Sequence, residues 1–215
     1  MHAAAYMIQY PDLTYETNLW PYYRHIVGLD EAGRGALAGP VAVGAVILPQ
    51  DESSISQTLA GVRDSKQLTP LGREALVPRI KEVALTWSVG FASAEEIDSQ
   101  GIVPATRLAA LRALTGLSLM PHYLLTDFRL ELPQLDIPQT ALVKGDALCL
   151  SIAAASVLAK TARDQFMCEL DLCYQGYGLG KHKGYGTQSH RYAMKQLGIS
   201  PIHRRSFQCK DLQIR

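Results

Sequence analysis

The sequence has little of what marks membrane, secreted or zinc-binding proteins. Its longest mainly apolar stretch, residues 36–48, contains two glycines and a proline and is shorter than the ~20 residues that cross a bilayer. Residues 1–10 lack the basic residues that open a secretory signal. The four cysteines form no C-x-x-C pair, which argues against a disulfide framework and a structural zinc site. We therefore expect a cytoplasmic protein with reduced thiols and no membrane partner.

Charge is distributed unevenly along a chain whose formal net charge is only +1. Residues 181–215 contain eight Lys or Arg and a single acid, Asp211, so the preceding 180 residues hold thirteen basic and nineteen acidic residues. A basic C-terminal end is typical of polyanion binding, and an acidic body is typical of cation binding. An ordinary solvated surface is the alternative, and charge alone does not decide between them.

Apolar segments and helical patterns follow one another in an order typical of an α/β protein. Strands are predicted over residues 25–29, 40–48, 85–92, 123–126 and 140–143, and helices over residues 104–119, 150–172 and 187–197. Residues 51–68 are predicted to be a connection with some helix, and residues 1–24 a loosely packed lead-in. Three successive strands indicate an antiparallel start, and the later alternation indicates parallel pairing. We predict a mixed five-stranded sheet with helices on both faces and a C-terminal helical extension.

Acidic residues follow three of the predicted strands. Asp30 and Glu31 come after the first strand, Asp127 after the fourth and Asp146 just beyond the fifth. If these strands are neighbours, four carboxylates meet at one edge of the sheet, and such hard oxygen ligands suit Mg²⁺ or Mn²⁺. An aspartate after a strand is also a common turn or helix-capping residue, and for Asp146 this alternative is strong.

A glycine-rich segment follows the first acidic pair. Residues 33–38 fit the pattern G-x-G-x-x-A of dinucleotide-binding proteins, which requires a helix next. Pro40 and a β-prone run follow instead, so the pattern indicates a tight turn whose backbone amides can approach a phosphate or sugar, with Arg34 between two glycines. The chain contains no G-x-S-x-G and no H-E-x-x-H pattern, so serine hydrolase and zinc protease chemistry have no support.

Five sequence blocks resemble, in the same order, the motifs of the prokaryotic ribonuclease HII family. They are GLDEAGRG at 28–35 with GPV at 39–41, DSKQL at 64–68, KGD at 144–146 leading into residues 151–164, HKGYGT at 182–187 and HRRSF at 203–207. That family has the ribonuclease H-like fold. It cuts the RNA strand of RNA–DNA hybrids and cuts at single ribonucleotides embedded in duplex DNA. The resemblance implies a metal-dependent endoribonuclease that leaves 5′-phosphate and 3′-hydroxyl ends.

The resemblance also implies a set of metal ligands: Asp30, Glu31, Asp127 and Asp146. Two divalent ions, Mn²⁺ or Mg²⁺, are expected during catalysis. The ion on Asp30 and Asp146 is expected to activate a water, and the ion on Asp30, Glu31 and Asp127 to stabilise the leaving 3′-oxygen. The family usually has glycine after the third aspartate, whereas Phe128 follows Asp127 here.

The resemblance implies substrate-binding residues in the first block and in the HKGYGT block, and four lysines are further candidates. Gly33, Arg34 and Gly35 are expected to contact the ribose 2′-hydroxyl and the neighbouring phosphate, and Tyr185 to stack on the following sugar. Phosphate contacts are expected from the lysines Lys66, Lys160, Lys181 and Lys183. For each lysine taken alone, a solvated surface position is the alternative.

The expected organisation is a lead-in over residues 1–24, a ribonuclease H-like catalytic domain over residues 25–175, and a basic extension over residues 176–215 that contributes to substrate binding. We expect a monomer that binds RNA–DNA hybrid and ribonucleotide-containing duplex DNA. The sequence identifies no replication-clamp or repair partner. Another nuclease on the same fold, a catalytically silent nucleic-acid-binding module and a nucleotide-dependent oxidoreductase are the alternative functions.

Overall fold

The computed structural model describes residues 10–128 and 130–207, which form one five-stranded mixed sheet with helices on both faces. The strands are β1 (Ile26–Ala32), β2 (Val41–Ile47), β3 (Thr86–Ala92), β4 (Tyr123–Asp127) and β5 (Gln139–Leu142). The helices are α1 (Thr14–Leu19), α2 (Glu52–Thr58), α3 (Pro70–Val83), α4 (Ala94–Gln100), α5 (Ile102–Thr115), α6 (Gly145–Leu148), α7 (Leu150–Cys173), α8 (Leu179–His182) and α9 (Gln188–Leu197), with a 3₁₀ turn over Ser65–Gln67. The predicted fold class is confirmed.

The strand order is β3-β2-β1-β4-β5, in which β1, β2 and β3 pair antiparallel, whereas β1, β4 and β5 pair parallel. The carboxyl ends of β1, β4 and β5 therefore meet at the same edge of the sheet. This edge is where the acidic residues that follow the predicted strands were expected to meet.

The two faces of the sheet are covered by different helices. One core contains Val27 and Leu29 of β1 and the small residues of α5, such as Ala109. The other core packs α7, α2 and α3 against the opposite face. Helix α7 lies very close to the sheet, because a Cβ at Gly44 of β2 would stand 2.2 Å from the carbonyl oxygen of Ala155. This close packing places the buried first half of α7 beside β1.

Strand β1 and helices α3 and α4 differ from the sequence prediction. Strand β1 extends to Ala32, because β2 continues to pair with it beyond the predicted end, so Asp30 and Glu31 lie within the strand. Helix α3 was not predicted, since Pro78 interrupts its sequence pattern and its apolar face is weak. Helix α4 was also missed, although Ser93 and Glu96 form a capping box at its start.

Part of the lead-in packs against the body through α1, so the expectation of loose packing is wrong for that part. Leu13 and Glu16 are buried, and one carboxylate oxygen of Glu16 accepts a hydrogen bond from the backbone N–H of Ser151 at 2.8 Å. This contact holds α1 against the start of α7. Burial raises the pKa of Glu16.

The C-terminal extension contains α8 and α9, and residues 208–215 lie outside the described part of the chain. Thr187 caps α9 as predicted by accepting a hydrogen bond from the His190 backbone N–H at 3.2 Å. The backbone N–H of Leu37 donates to the carbonyl of Gly184 at 2.8 Å, which joins the extension to the glycine-rich segment. Within the described ranges, every helix is too short or too polar to cross a membrane.

Candidate active site

Three acidic side chains meet at the carboxyl edge of the sheet. Carboxylate oxygens of Asp30, Glu31 and Asp127 lie within 4.8 Å of one another. Asp30 is only 4% exposed and accepts a hydrogen bond from the Glu31 backbone N–H at 2.8 Å, while Asp127 accepts one from the N–H of Gly145 at 3.1 Å. We refer to Asp30, Glu31 and Asp127 as the three-acid group.

The electrostatics of the three-acid group favour a bound cation. Burial, together with the charge of Glu31, raises the pKa of Asp30 well above its usual range. Burial also raises the pKa of Glu31, and the nearby guanidinium of Arg34, 3.6 Å away, opposes this. One oxygen of Asp30 and one of Glu31 are buried without a hydrogen-bond partner. Unpartnered carboxylate oxygens of this kind fit a divalent cation such as Mg²⁺ or Mn²⁺.

The fourth predicted ligand, Asp146, lies beside the three-acid group rather than within it. It is at the start of α6, its carboxylate is 3.8 Å from the Lys66 ammonium, and its charge contributes to the raised pKa of Asp30. Burial and the charge of Asp64 raise the pKa of Asp146 to about 6, against the opposing effect of Lys66. Asp64 is thus a fifth acid at the site, which the sequence analysis did not single out.

We define the glycine turn as residues 33–39, and its first three residues line the same cavity of about 480 Å³ as the three-acid group. Gly33 has a φ of 86°, and a Cβ there would lie 1.8 Å from the Arg163 side chain. Gly35 is exposed, and a Cβ there would meet open space. The turn therefore requires glycine at residue 33 for its conformation. At residue 35 the absence of a side chain leaves open space at the wall of the cavity.

Three other predicted substrate-binding residues also line this cavity, namely Lys66, Lys160 and Tyr185. Tyr185 is half-buried, and the Lys160 ammonium lies 5.2 Å from the centre of its ring. The same ammonium contacts Asp164 at 2.7 Å, and Asp164 also pairs with Arg73 at 2.9 Å. The ring of Tyr185 thus faces a site with both acidic and basic groups.

Lys181 and Lys183 do not line this cavity. They line an adjoining one of about 450 Å³, and Arg73 lines both. Lys183 has a φ of 53°, and its ammonium contacts the carbonyl of Gly180 and the Cys168 sulfur. The predicted phosphate-binding lysines are therefore divided between two adjacent depressions.

Two buried arginines that the sequence analysis did not identify support the glycine turn from inside. Arg163 of α7 donates to the carbonyls of Pro40, Ala38 and Lys183.

Arg204 donates to the carbonyls of Gly33, Arg34 and Gly39, at 2.8, 2.9 and 2.9 Å. Burial lowers its pKa to about 9. The available signals were an arginine soon after the small apolar residues 150–159 of α7 and another in the HRRSF block. Their partners, however, are loop carbonyls that no sequence pattern reveals.

The site residues all lie within the part of the chain that matches a known family. The model of the ribonuclease HII family matches residues 27–210. A ribonuclease HII from Dehalococcoides mccartyi is 51% identical over 198 residues, which are 92% of this chain and 92% of that protein. A ribonuclease HII from Thermus thermophilus is 50% identical over 190 residues, 87% of this chain and 89% of that protein. The crystal structure of ribonuclease H2 from Pyrococcus horikoshii OT3 has a TM-score of 0.69 at 27% identity, covering 86% of this chain and 94% of that one.

Proposed function

The chain belongs to the ribonuclease HII family and is an RNase H endoribonuclease, and on that premise we propose that it cuts 5′ of single ribonucleotides embedded in duplex DNA. The proposal includes cleavage of the RNA strand of RNA–DNA hybrids, with 5′-phosphate and 3′-hydroxyl ends in both cases. The observation that carries it is that the three-acid group, the glycine turn and Tyr185 line one cavity. A single nucleotide in that cavity would contact all three.

The acidic residues would hold the divalent cations. Asp30, Glu31 and Asp127 form the set with converging oxygens, and Asp146 with Asp64 would supply further carboxylates beside it. The bound cations, Mg²⁺ or Mn²⁺, would supply Lewis-acid stabilisation of charge on the phosphate and lower the pKa of water. The protein itself holds the carboxylates close together and leaves one buried oxygen of Asp30 and one of Glu31 without a hydrogen-bond partner.

Recognition of the ribonucleotide would come from the glycine turn and Tyr185. The 2′-hydroxyl is both a hydrogen-bond donor and an acceptor, and it is the group that separates RNA from DNA at a given nucleotide. The open space at Gly35 lets a sugar come close to the backbone of the turn. The ring of Tyr185 would stack on the next sugar.

The phosphate contacts would come from basic residues around the cavity. The side chain of Lys66 is 75% exposed, so its ammonium is available to a phosphate while it stays 3.8 Å from Asp146. Lys160 lies in the same cavity, and Lys181 and Lys183 line the adjoining one. Such contacts position the duplex without reading its sequence.

An Asp30→Asn variant tests this function. We expect its cleavage of a duplex with one embedded ribonucleotide, in Mg²⁺ or Mn²⁺, to fall below about 1% of the wild-type rate, because a central cation ligand is lost. Its melting temperature should rise, because the raised pKa of Asp30 shows that the folded protein disfavours this charge. Calorimetric titration with Mn²⁺ should show weaker binding.

The matched control is Asp136→Asn, which removes an exposed aspartate outside the cavity. It should leave cleavage, stability and Mn²⁺ binding unchanged. Near-normal cleavage by the Asp30→Asn protein would refute the proposed role of the three-acid group. Wild-type protein that binds the duplex without metal-dependent cleavage would instead indicate a binding module.

A further inference from the structure

A cluster of three histidines lies beside the Tyr185 backbone. The rings of His182 and His190 stack with centroids 4.2 Å apart, and the rings of His190 and His203 lie 5.3 Å apart. His190 is fully buried and His203 is 2% exposed. A hydrogen bond of 3.2 Å joins the Nε2 atoms of these two residues. None of these imidazoles lines the active-site cavity.

The hydrogen bonds of the cluster determine where each proton lies. The backbone N–H of Ser200 donates to Nδ1 of His203 at 3.0 Å, so that nitrogen is an acceptor. A neutral His203 must then carry its proton on Nε2 and donate it to Nε2 of His190. His190 in turn carries its proton on Nδ1 and donates it to the carbonyl of Tyr185 at 3.0 Å.

Both imidazoles are neutral at pH 7. Burial lowers the pKa of His190 to about 4, and burial also lowers the pKa of His203. Hydrogen bonds are therefore donated in one direction, from Ser200 to His203, from His203 to His190, and from His190 to the carbonyl of Tyr185. We call this chain of hydrogen bonds the relay.

The segment that contains His203 also contacts the glycine turn, whose first three residues line the active-site cavity. Arg204, next to His203, donates to the carbonyls of Gly33 and Arg34 in the glycine turn. Ala38 of the turn forms an isolated β-bridge with His203. Two adjacent residues thus contact both the backbone of the turn and, through His190, the backbone of Tyr185.

We propose that His190 and His203 are positioning residues, which set the place of Tyr185 relative to the glycine turn through a directed chain of neutral imidazoles. This inference rests on the proposed function, because Tyr185 is the group proposed to stack on the sugar. The substrate does not touch either histidine. Their effect on cleavage is exerted through Tyr185.

The first test measures the wild-type protein without any activity assay. Nitrogen-15 NMR of the histidine side chains at pH 7 reports the tautomer of each imidazole, and spectra of the His190→Asn and His203→Gln proteins assign the signals. We expect the Nδ1–H tautomer for His190 and the Nε2–H tautomer for His203. The Nε2–H tautomer or a charged ring at His190 would overturn the proposal.

Matched variants separate the relay from local packing. His203→Gln keeps a donor that reaches His190, whereas His203→Asn keeps only an acceptor for the Ser200 N–H. His190→Asn keeps a donor for the Tyr185 carbonyl, whereas His190→Gln does not. We expect the variants that keep the donor to cleave an embedded ribonucleotide about tenfold faster than their counterparts, the effect of one lost hydrogen bond. Equal rates within each pair, or the opposite order, would contradict the relay.

A double-mutant cycle tests whether His190 acts through Tyr185. In the Tyr185→Ala background, His190→Gln should have little further effect on cleavage, whereas independent effects would multiply. Multiplying effects would overturn the proposal.

The two proposals fail in different ways. A wild-type protein that does not cut the embedded ribonucleotide refutes the proposed function, while the tautomers still decide the relay. A wild-type protein that cuts normally but has the other tautomers refutes the relay alone.

Discussion

At the scale of single residues, the site depends on where side chains are missing as much as on where charges lie. Gly33 must adopt a positive φ, and its missing Cβ leaves room for the guanidinium of Arg163. That guanidinium is fully buried, and its hydrogen bonds to backbone carbonyls take the place of a carboxylate partner. Gly35, two residues later, has neither constraint. The two glycines therefore have separable roles, one in the fold and one in the site.

Replacing each glycine by alanine should separate these roles. Gly33→Ala should lower the free energy of unfolding by about 2 kcal/mol or more, because an L-residue at this φ is strained and Arg163 must move. Gly35→Ala should change that free energy by less than about 0.5 kcal/mol. It should nevertheless slow cleavage of an embedded ribonucleotide, because the added methyl group occupies the wall of the cavity.

Urea unfolding and steady-state cleavage measure the two effects side by side. Normal stability of the Gly33→Ala protein would contradict the proposed packing of Arg163. Unchanged cleavage by the Gly35→Ala protein would contradict close approach of the sugar to the turn.

At the scale of elements, Asp98 of α4 binds residues 205 and 206, next to the segment that supports the glycine turn. The carboxylate of Asp98 accepts hydrogen bonds from the backbone N–H groups of Arg205 and Ser206 at 2.9 and 2.8 Å, and from the Ser206 hydroxyl at 2.6 Å. These bonds lower the pKa of Asp98 against the opposing effect of its partial burial. Because Arg204 precedes this anchor, Asp98 also helps to hold the support of the glycine turn.

An Asp98→Asn variant should lose part of this anchor. Hydrogen bonds to a charged group contribute about 1.5–3 kcal/mol, so we expect the melting temperature to fall by roughly 3–12 °C. Glu95→Gln, an exposed acid on the same helix, is the matched control and should have no such effect.

The pH dependence of the anchor has a definite sign. A lowered pKa in the folded state means that Asp98 stabilises the protein fully above the usual aspartate pKa of about 3.9, and that this contribution is lost as the pH falls below it. The stability difference between wild type and Asp98→Asn should therefore be constant from pH 7 to about pH 5 and shrink toward pH 3. A difference that grows on acidification would contradict the anchor.

At the scale of the whole molecule, the sequence predicts those features of the fold and the site that depend on hydrophobic periodicity and on which residues follow each strand. Apolar strands followed by acids predict that Asp30, Glu31 and Asp127 meet if their strands are parallel neighbours, and the structure shows that β1, β4 and β5 are. The position of Asp146 beside Lys66 depends on the loop geometry after β5, which no periodicity encodes.

Long-range packing accounts for the rest of what the sequence could not predict. Arg163 and Arg204 both donate to carbonyls within residues 33–40, which lie more than 120 residues away from them along the chain. Helix α3, with an internal proline and a weak apolar face, is stabilised by its contacts with α7, which sequence propensity does not describe.

The distribution of charge over the molecule leads to the last prediction. Arg191 and Lys195 lie on the exposed side of α9 and line a depression with Gly186, close to Tyr185. If this surface binds the duplex beside the cut, replacing both residues by glutamine should weaken binding at low salt. The slope of log K against log salt should fall by about 1 to 2, since each phosphate contact contributes about 0.9.

The matched control replaces two exposed bases at the other edge of the sheet, Arg24 and Lys81, by glutamine. They precede β1 and β3, whose first residues lie opposite the end of β2 and away from the three-acid group. This control should leave the slope unchanged, because both residues lie toward the end of the strands opposite the acids. Fluorescence-anisotropy titrations across a salt series measure the slope for each double variant, made in the catalytically inactive Asp30→Asn protein so that the duplex is not cut. Equal slopes for the two double variants would mean that the basic extension attracts nucleic acid only through the overall charge of the protein, and not as a docking surface.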